Sequence, residues 1–164
     1  MKQLLQNPRV HSICAPIQTG LEWSTRDLTS LIGRWGVDCG VQELAPSIAL
    51  TGVQLHRLKL TNVVLPTESG ILGKVRQQRL AEKGVRCAGL SLLQRAWASK
   101  AQLPEVWKQQ RNGFPRTVFF DNSVIASKEL GVFILGIVWD HASWRIQAKL
   151  ISAYFYPEDL SLLI

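Results

Sequence analysis

Three cysteines in 164 residues, Cys14, Cys39 and Cys87, are too few and too scattered for a metal site or a disulfide framework. No Cys-x-x-Cys pair, His-Glu-x-x-His or Gly-x-Ser-x-Gly occurs, so neither a zinc centre nor a nucleophile elbow is expected. Nothing calls for a cofactor. Long apolar runs are also missing: the longest, residues 131–139, is strand-length and well short of the ~20 residues that cross a bilayer. The opening residues lack the apolar stretch of a signal peptide. Low-complexity tracts and long-period repeats are absent, which excludes a solenoid or propeller. These absences lead to the expectation of a soluble cytoplasmic protein with reduced, partly buried thiols and no membrane partner. At 46% hydrophobic and 19% charged, the chain belongs with folded proteins, and its length suits one domain over residues 1–164.

What the chain does have is localised positive charge. The net charge is +7, but residues 57–116 carry twelve basic residues against three acidic ones, leaving the remainder slightly negative. Such asymmetry marks an electrostatic surface better than a high isoelectric point does. The densest stretch runs through Lys74, Arg76, Arg79, Lys83 and Arg86, with Gln77 and Gln78 between. Lysine and arginine neutralise phosphates and release counterions, and glutamine can donate to phosphate or base edges. These five, supported by Arg95, Lys108 and Arg111, are the candidate nucleic-acid contacts. The plain alternative is a solvated helix face that binds nothing.

Local patterns give an outline of structure. Ser24-Thr25-Arg26-Asp27 has capping-box spacing and could open a short helix through Leu28, Leu31 and Ile32. A strand over residues 31–37 with a turn at Asp38-Cys39-Gly40 fits as well. Alternation over residues 52–64, closed by Pro66, reads as a strand. Thr67 to Gly70 is a loop. The basic stretch within residues 67–88 follows as a loop, a helix or a mobile arm, since Ile71, Leu72, Val75 and Leu80 form no clean helical stripe. Residues 90–101 make a better helix, with Leu90, Leu93, Ala96, Trp97 and Ala101 on one face. Pro104 opens a shorter helix over residues 105–111, stopped by Asn112-Gly113. Residues 116–127 and 130–140 read as strands, with a turn or bulge at Asp121-Asn122. Residues 140–143 form a turn, and alternation over residues 144–156 gives a last strand, central or covered by helices because both its faces are partly apolar. The expected fold is α+β: an antiparallel sheet, with a C-terminal meander or hairpin, packed with a few short helices.

Catalytic readings are thin. Gly70-Ile71-Leu72-Gly73-Lys74 echoes a phosphate loop but lacks its spacer and terminal hydroxyl residue. His11, His56 and His141 are scattered; in a metal-independent ribonuclease one or two could move protons, yet His141 reads as a turn residue and His56 as a strand-face residue. Six tryptophans could stack bases, although most should pack the core; Trp107, between basic positions, is the best candidate for exposure.

Phe133-Ile134-Leu135-Gly136, then Trp144, then a basic residue leading an apolar strand to Pro157 form one suggestive pattern, and Gly33-Arg34-Trp35-Gly36-Val37-Asp38-Cys39-Gly40 another. Together they resemble the small accessory subunits of type III-D CRISPR effector complexes, over about a third of the chain, with Lys149 where arginine is expected. The resemblance implies a non-catalytic subunit of an RNA-guided antiviral complex, partnered by RNA and by other protein subunits. The leading expectation is therefore an RNA-binding, scaffolding subunit of a prokaryotic ribonucleoprotein. The competing classes are a small metal-independent ribonuclease or toxin, and a phage or injection-machine structural protein.

Overall fold

A run of apolar and β-branched residues, Gly131–Trp139, forms the longest strand and the axis of the fold. The computed structural model describes residues 39–44, 55–128 and 130–164. In chain order the strands are β1 (Cys39–Glu43), β2 (Lys59–Thr61), β3 (Ile71–Leu72), β4 (Gln110–Arg111), β5 (Phe114–Pro115) and β6 (Thr117–Phe119). They continue as β7 (Ser123–Ser127), β8 (Gly131–Trp139), β9 (Trp144–Leu150), β10 (Tyr154–Phe155) and β11 (Asp159–Leu163). Among the described residues two α-helices, α1 (Gly73–Glu82) and α2 (Leu90–Ala98), join them, with 3-10 turns at Leu55–Arg57, Lys100–Gln102 and Glu105–Lys108.

Seven strands make the main sheet in the order β1-β7-β8-β6-β11-β2, with β9 on the opposite edge of β8. The architecture is α+β, as the sequence leads one to expect, with one qualification: β11 lies parallel to β6, so the sheet is mixed. Two small antiparallel pairs, β3 with β10 and β4 with β5, sit outside it. No helix among the described residues is long and apolar enough to cross a membrane.

β6 and β7 share one edge of β8. Thr117 to Phe119 pair with Val138 to Gly136, and Ile125 to Ser127 pair with Phe133 to Gly131. Between these blocks five residues face only two on β8, a bulge built on the Phe120–Ser123 turn, in which Ser123 N–H donates to the Phe120 carbonyl, at the Asp121-Asn122 position that the sequence singles out. All of Phe120, Asp121 and Asn122 are buried. The bulge forks the sheet: β7 goes on to β1, while β6 goes on to β11 and β2.

The centre of β8 is apolar on both faces because both are covered. Phe133, Leu135 and Ile137 join Val118, Ile125 and the α2 residues Leu90, Leu93 and Ala96 in one cluster. Ile134, one register position away, joins Phe119, Val124, Phe155 and Leu80 of α1 in another. Alternate residues of a strand point to opposite faces, so α1 and α2 lie on opposite sides of the sheet. Gly136 marks where β6 crosses closest: a Cβ there would lie 2.9 Å from atoms of Phe119, Thr117 and Val118.

Several sequence expectations need correction. The helix expected over residues 105–111 ends at Lys108, and Asn112-Gly113 turns the β4–β5 hairpin instead. Both residues have positive φ, 52° and 80°, as a type I′ hairpin turn requires. Trp107 is 1% exposed, packed in the α2 cluster. The last strand breaks at a turn over residues 151–153, separating β9 from β10. β9 is an edge strand paired only with β8, with none of its residues fully buried, rather than central or covered by helices. β11 was missed. The strand expected over residues 52–64 reduces to a 3-10 turn and the short β2, with residues 52–54 outside the described set. The helix or strand expected near residues 24–37, with Trp23, Trp35, Cys14 and His11, also lies outside it, and Cys39-Gly40 opens β1.

Gly136→Ala forces a methyl group against backbone and ring atoms. Overpacking of this kind costs about 1–3 kcal/mol, which urea denaturation should register as a lower midpoint with unchanged slope. Gly84→Ala, with open space around it but a positive φ of 61°, should cost less.

Candidate nucleic-acid interface

The basic segment is a helix, and its inward stripe explains why periodicity hides it. Gly73, Arg76 and Leu80 are the buried residues of α1, at helical spacing. Arginine occupies the middle of the stripe, so no apolar pattern appears. The helix begins against the 151–153 turn: the N–H groups of Gly73 and Lys74 donate to the carbonyls of Ala153 and Ile151 at 3.0 and 3.1 Å. Those two orphan donors are thereby satisfied, and a Cβ on Gly73 would lie 2.7 Å from Ile151. The Gly70–Lys74 stretch serves packing between helix and turn, not a phosphate cradle.

Arg76 is fully buried. Its Nε and Nη2 donate to the two carboxylate oxygens of Asp121 at 2.9 and 3.0 Å, a bidentate pair. Nη1 donates to the backbone carbonyl of Asp159 at 2.7 Å, and Nη2 also reaches Ser161 Oγ at 2.8 Å. The guanidinium carbon sits 5.4 Å from the Phe119 ring centroid and 5.0 Å from that of Phe155. Gln77 adds a bond to Asp121 at 3.2 Å. Beside this group, Lys149 donates to Asp159 Oδ2 at 2.6 Å and lies over Phe155 and Tyr156. Among the described residues no buried side-chain polar atom lacks a partner.

Arg76 therefore leaves the set of phosphate contacts: every face of its guanidinium is taken, and water cannot reach it. Arg79 is held as well. Its two terminal nitrogens donate to the Glu68 carboxylate at 2.6 and 2.7 Å, and Nη1 also reaches the carbonyl of Val63. Arg79 tethers the 65–68 loop to the helix. The basic stretch is anchored at these two points, as a docked helix rather than an arm.

The other candidates stay outside. Lys74, Lys83, Arg86, Arg95 and Arg111 are exposed, as are Arg57, Lys59 and Lys100. Lys108 is half-buried, bonded to Glu105 at 2.6 Å and placed over the Trp139 ring at 4.6 Å. The structure brings Lys83 and Arg111 towards one another through the backbone: Lys83 Nζ lies 3.5 Å from the Asn62 carbonyl. Asn62 Nδ2 donates to the Pro157 carbonyl at 3.0 Å, where Arg111 Nη1 also points at 3.4 Å. Arg86 stands next to the strand end, its carbonyl accepting from Ile164 N–H. Lys74 and Arg95 project from α1 and α2, on opposite sides of the sheet, and do not join this group.

Two residues beside the group carried no weight in the sequence reading. Phe114, opposite Arg111 in the hairpin, is 60% exposed, more than any other large hydrophobic residue described. Asp121 is the internal acid on which Arg76 depends. An Asn-Gly turn flanked by an arginine and an aromatic residue was a usable signal for the first; nothing local announced the second.

His141 lies in the β8–β9 turn with φ 72°, exposed, its Nδ1 3.0 Å from Gln110 Nε2. Asp140 beside it is paired with Arg145, and desolvation of its carboxyl is outweighed by Ser143 hydrogen bonds and Arg145, which lower its pKa. The side chain of His56 is outside the described set. Burial, reinforced by Asp121, pushes the Cys87 thiol up to about 12, so it remains protonated.

No protein-family model matches this chain, and no curated protein or solved structure matches it.

Two outcomes follow from these environments. Hydrogen bonds from Arg79 and from Leu65 N–H hold Glu68 at about 2, below its ordinary 4.5. A depressed carboxylate contributes stability above its unfolded pKa and loses it as pH falls through the folded value. The difference in melting temperature between the protein and its Glu68→Gln variant should be constant above pH 5 and shrink between pH 4.5 and 2. In a Cys14→Ser/Cys39→Ser background, Cys87 should ignore a disulfide reagent at pH 8 and react stoichiometrically in denaturing urea.

Proposed function

We propose that this protein is a non-catalytic, RNA-binding and scaffolding subunit of a prokaryotic ribonucleoprotein, of the kind that the CRISPR-subunit resemblance implies. The observation that carries the reading is the exposed charge that remains after the internal pairs are removed. Arg76, Arg79 and Lys108 are matched by Asp121, Glu68 and Glu105. Apart from Arg95, which is engaged as well, eight further basic residues of the 57–116 segment share it with one further acid, Glu82, which accepts from Gln78. Seven of those eight are exposed. A surface so one-sided repels other cations and attracts polyanions, and phosphate neutralisation with counterion release supplies affinity that needs no base recognition.

Its contacts are Lys83 and Arg111, linked through Asn62 and Pro157, with Arg86, Lys74 and Arg95 as further exposed cations outside that link. Arg76 and Arg79 support it from within by fixing α1. The covered sheet is the rigid base that such a surface needs.

Salt titration tests this reading. Each phosphate contact on a single strand contributes about 0.7 to the log–log slope of affinity against salt. The Lys83→Ala/Arg86→Ala/Arg111→Ala variant should keep its melting temperature and lose about 2 units of that slope. RNA affinity indifferent to both salt and this triple substitution would remove the proposal. RNA cleavage that His141→Ala abolishes would replace it with a nuclease.

A further inference from the structure

The hairpin of β4 and β5 contributes nothing to either hydrophobic cluster, yet it is firmly placed. Arg116 N–H donates to the Gln109 carbonyl at 3.3 Å, and Arg116 Nη1 to the Val106 carbonyl at 2.9 Å. Gln110 meets His141, and Arg111 reaches Pro157. From this base the tip, Gln110 to Phe114, is exposed at every residue. Arg111 and Phe114 are directly paired across the strands, so their side chains rise from the same face of the hairpin.

An aromatic ring 60% exposed at the end of an anchored hairpin adds nothing to the core. Beside an arginine it matches the two components of single-strand recognition: a stacking surface for a base and a cation for the adjoining phosphate. One N–H of Arg111 points at Pro157, which leaves most of its five donors for a ligand. Lys83 lies beyond Asn62 on the same backbone relay and extends the positive surface away from the tip. Tyr156, 46% exposed and next to Pro157, provides a second ring, held by Lys149 4.9 Å from its centroid. The cations here favour a polyanion over a protein partner, and exposed rings favour a polyanion whose bases are unstacked. Duplex RNA offers no such bases.

We infer that the Gln110–Pro115 hairpin is a stacking finger that selects single-stranded RNA, with Phe114 under a base and Arg111 on its phosphate. The inference rests on the RNA-binding reading above and adds the strandedness of the ligand.

Fluorescence anisotropy with three labelled 12-nucleotide probes tests it: oligouridylate, an abasic ribose–phosphate strand, and a blunt RNA duplex. The protein, Phe114→Ala and Phe114→Trp are compared. Stacking on one aromatic residue is worth about tenfold in affinity. Phe114→Ala should lose about that factor on oligouridylate and nothing on the abasic strand. Phe114→Trp should restore it, and the duplex should bind more weakly than oligouridylate. Because Phe114 lies outside the core, its removal leaves the fold intact. If the protein binds oligouridylate and the abasic strand equally, or if Phe114→Ala changes neither, the finger is refuted while the RNA reading stands. If none of the probes binds, the RNA reading itself is lost. If Phe114→Ala instead dissociates a homodimer with RNA affinity unchanged, the hairpin is a protein contact and the inference is overturned.

Discussion

A buried guanidinium organises this protein. Arg76 brings a full charge into a site with no access to water, and the cost of that desolvation is met only if the charge is paired and every donor satisfied. The fold supplies those conditions from three separate places. The bulge between β6 and β7 turns Asp121 inward, β11 offers the Asp159 carbonyl and Ser161 hydroxyl, and Phe119 and Phe155 enclose the group. Helix α1, the forked sheet and the β10 segment are therefore tied at one point. A buried pair is weak evidence for net stability, but its geometry is demanding, and it fixes how these elements meet.

That constraint separates two roles which composition alone merges. Positive charge in one stretch of helix looks uniform on paper. In the fold, Arg76 and Arg79 face inward and hold the helix to the sheet and to the 65–68 loop, while Lys74 and Lys83 on the same helix face water. The distinction matters for function. An inward arginine sets where the surface cations stand; an outward one can meet a phosphate. Substitutions at Arg76 would loosen the scaffold on which the surface cations stand, an effect easily mistaken for loss of a surface contact.

Much of the architecture was legible in the sequence. Residues 131–139 announce a strand by β-branched and aromatic content, residues 90–101 a helix that is realised over Leu90–Ala98 with Ala101 left exposed in the following 3-10 turn, and Asp121-Asn122 a turn or bulge. Other parts were hidden for identifiable reasons. Arginine at the centre of the α1 stripe broke the apolar period that would have shown a docked helix. Asn112-Gly113 suits a helix stop and a hairpin turn equally, and only pairing of Arg111 with Phe114 decides it. β11 carries Asp159 and Ser161 at buried positions, polar residues that disguise an interior strand because their partners, Lys149 and Arg76, are distant in the chain. Of the eight candidate contacts, only Lys83 and Arg111 are linked to one another, through Asn62 and Pro157, which no local pattern connects.

Arg76 and Asp121 form one interdependent structural unit, closed to solvent. A double-mutant cycle with Arg76→Met and Asp121→Leu, followed by urea denaturation, measures that interdependence. Each single substitution strands a buried charge and should cost about 3–5 kcal/mol, whereas the double substitution strands none and should recover most of that loss. Costs that simply add would mean that the two residues act independently and that no such unit exists.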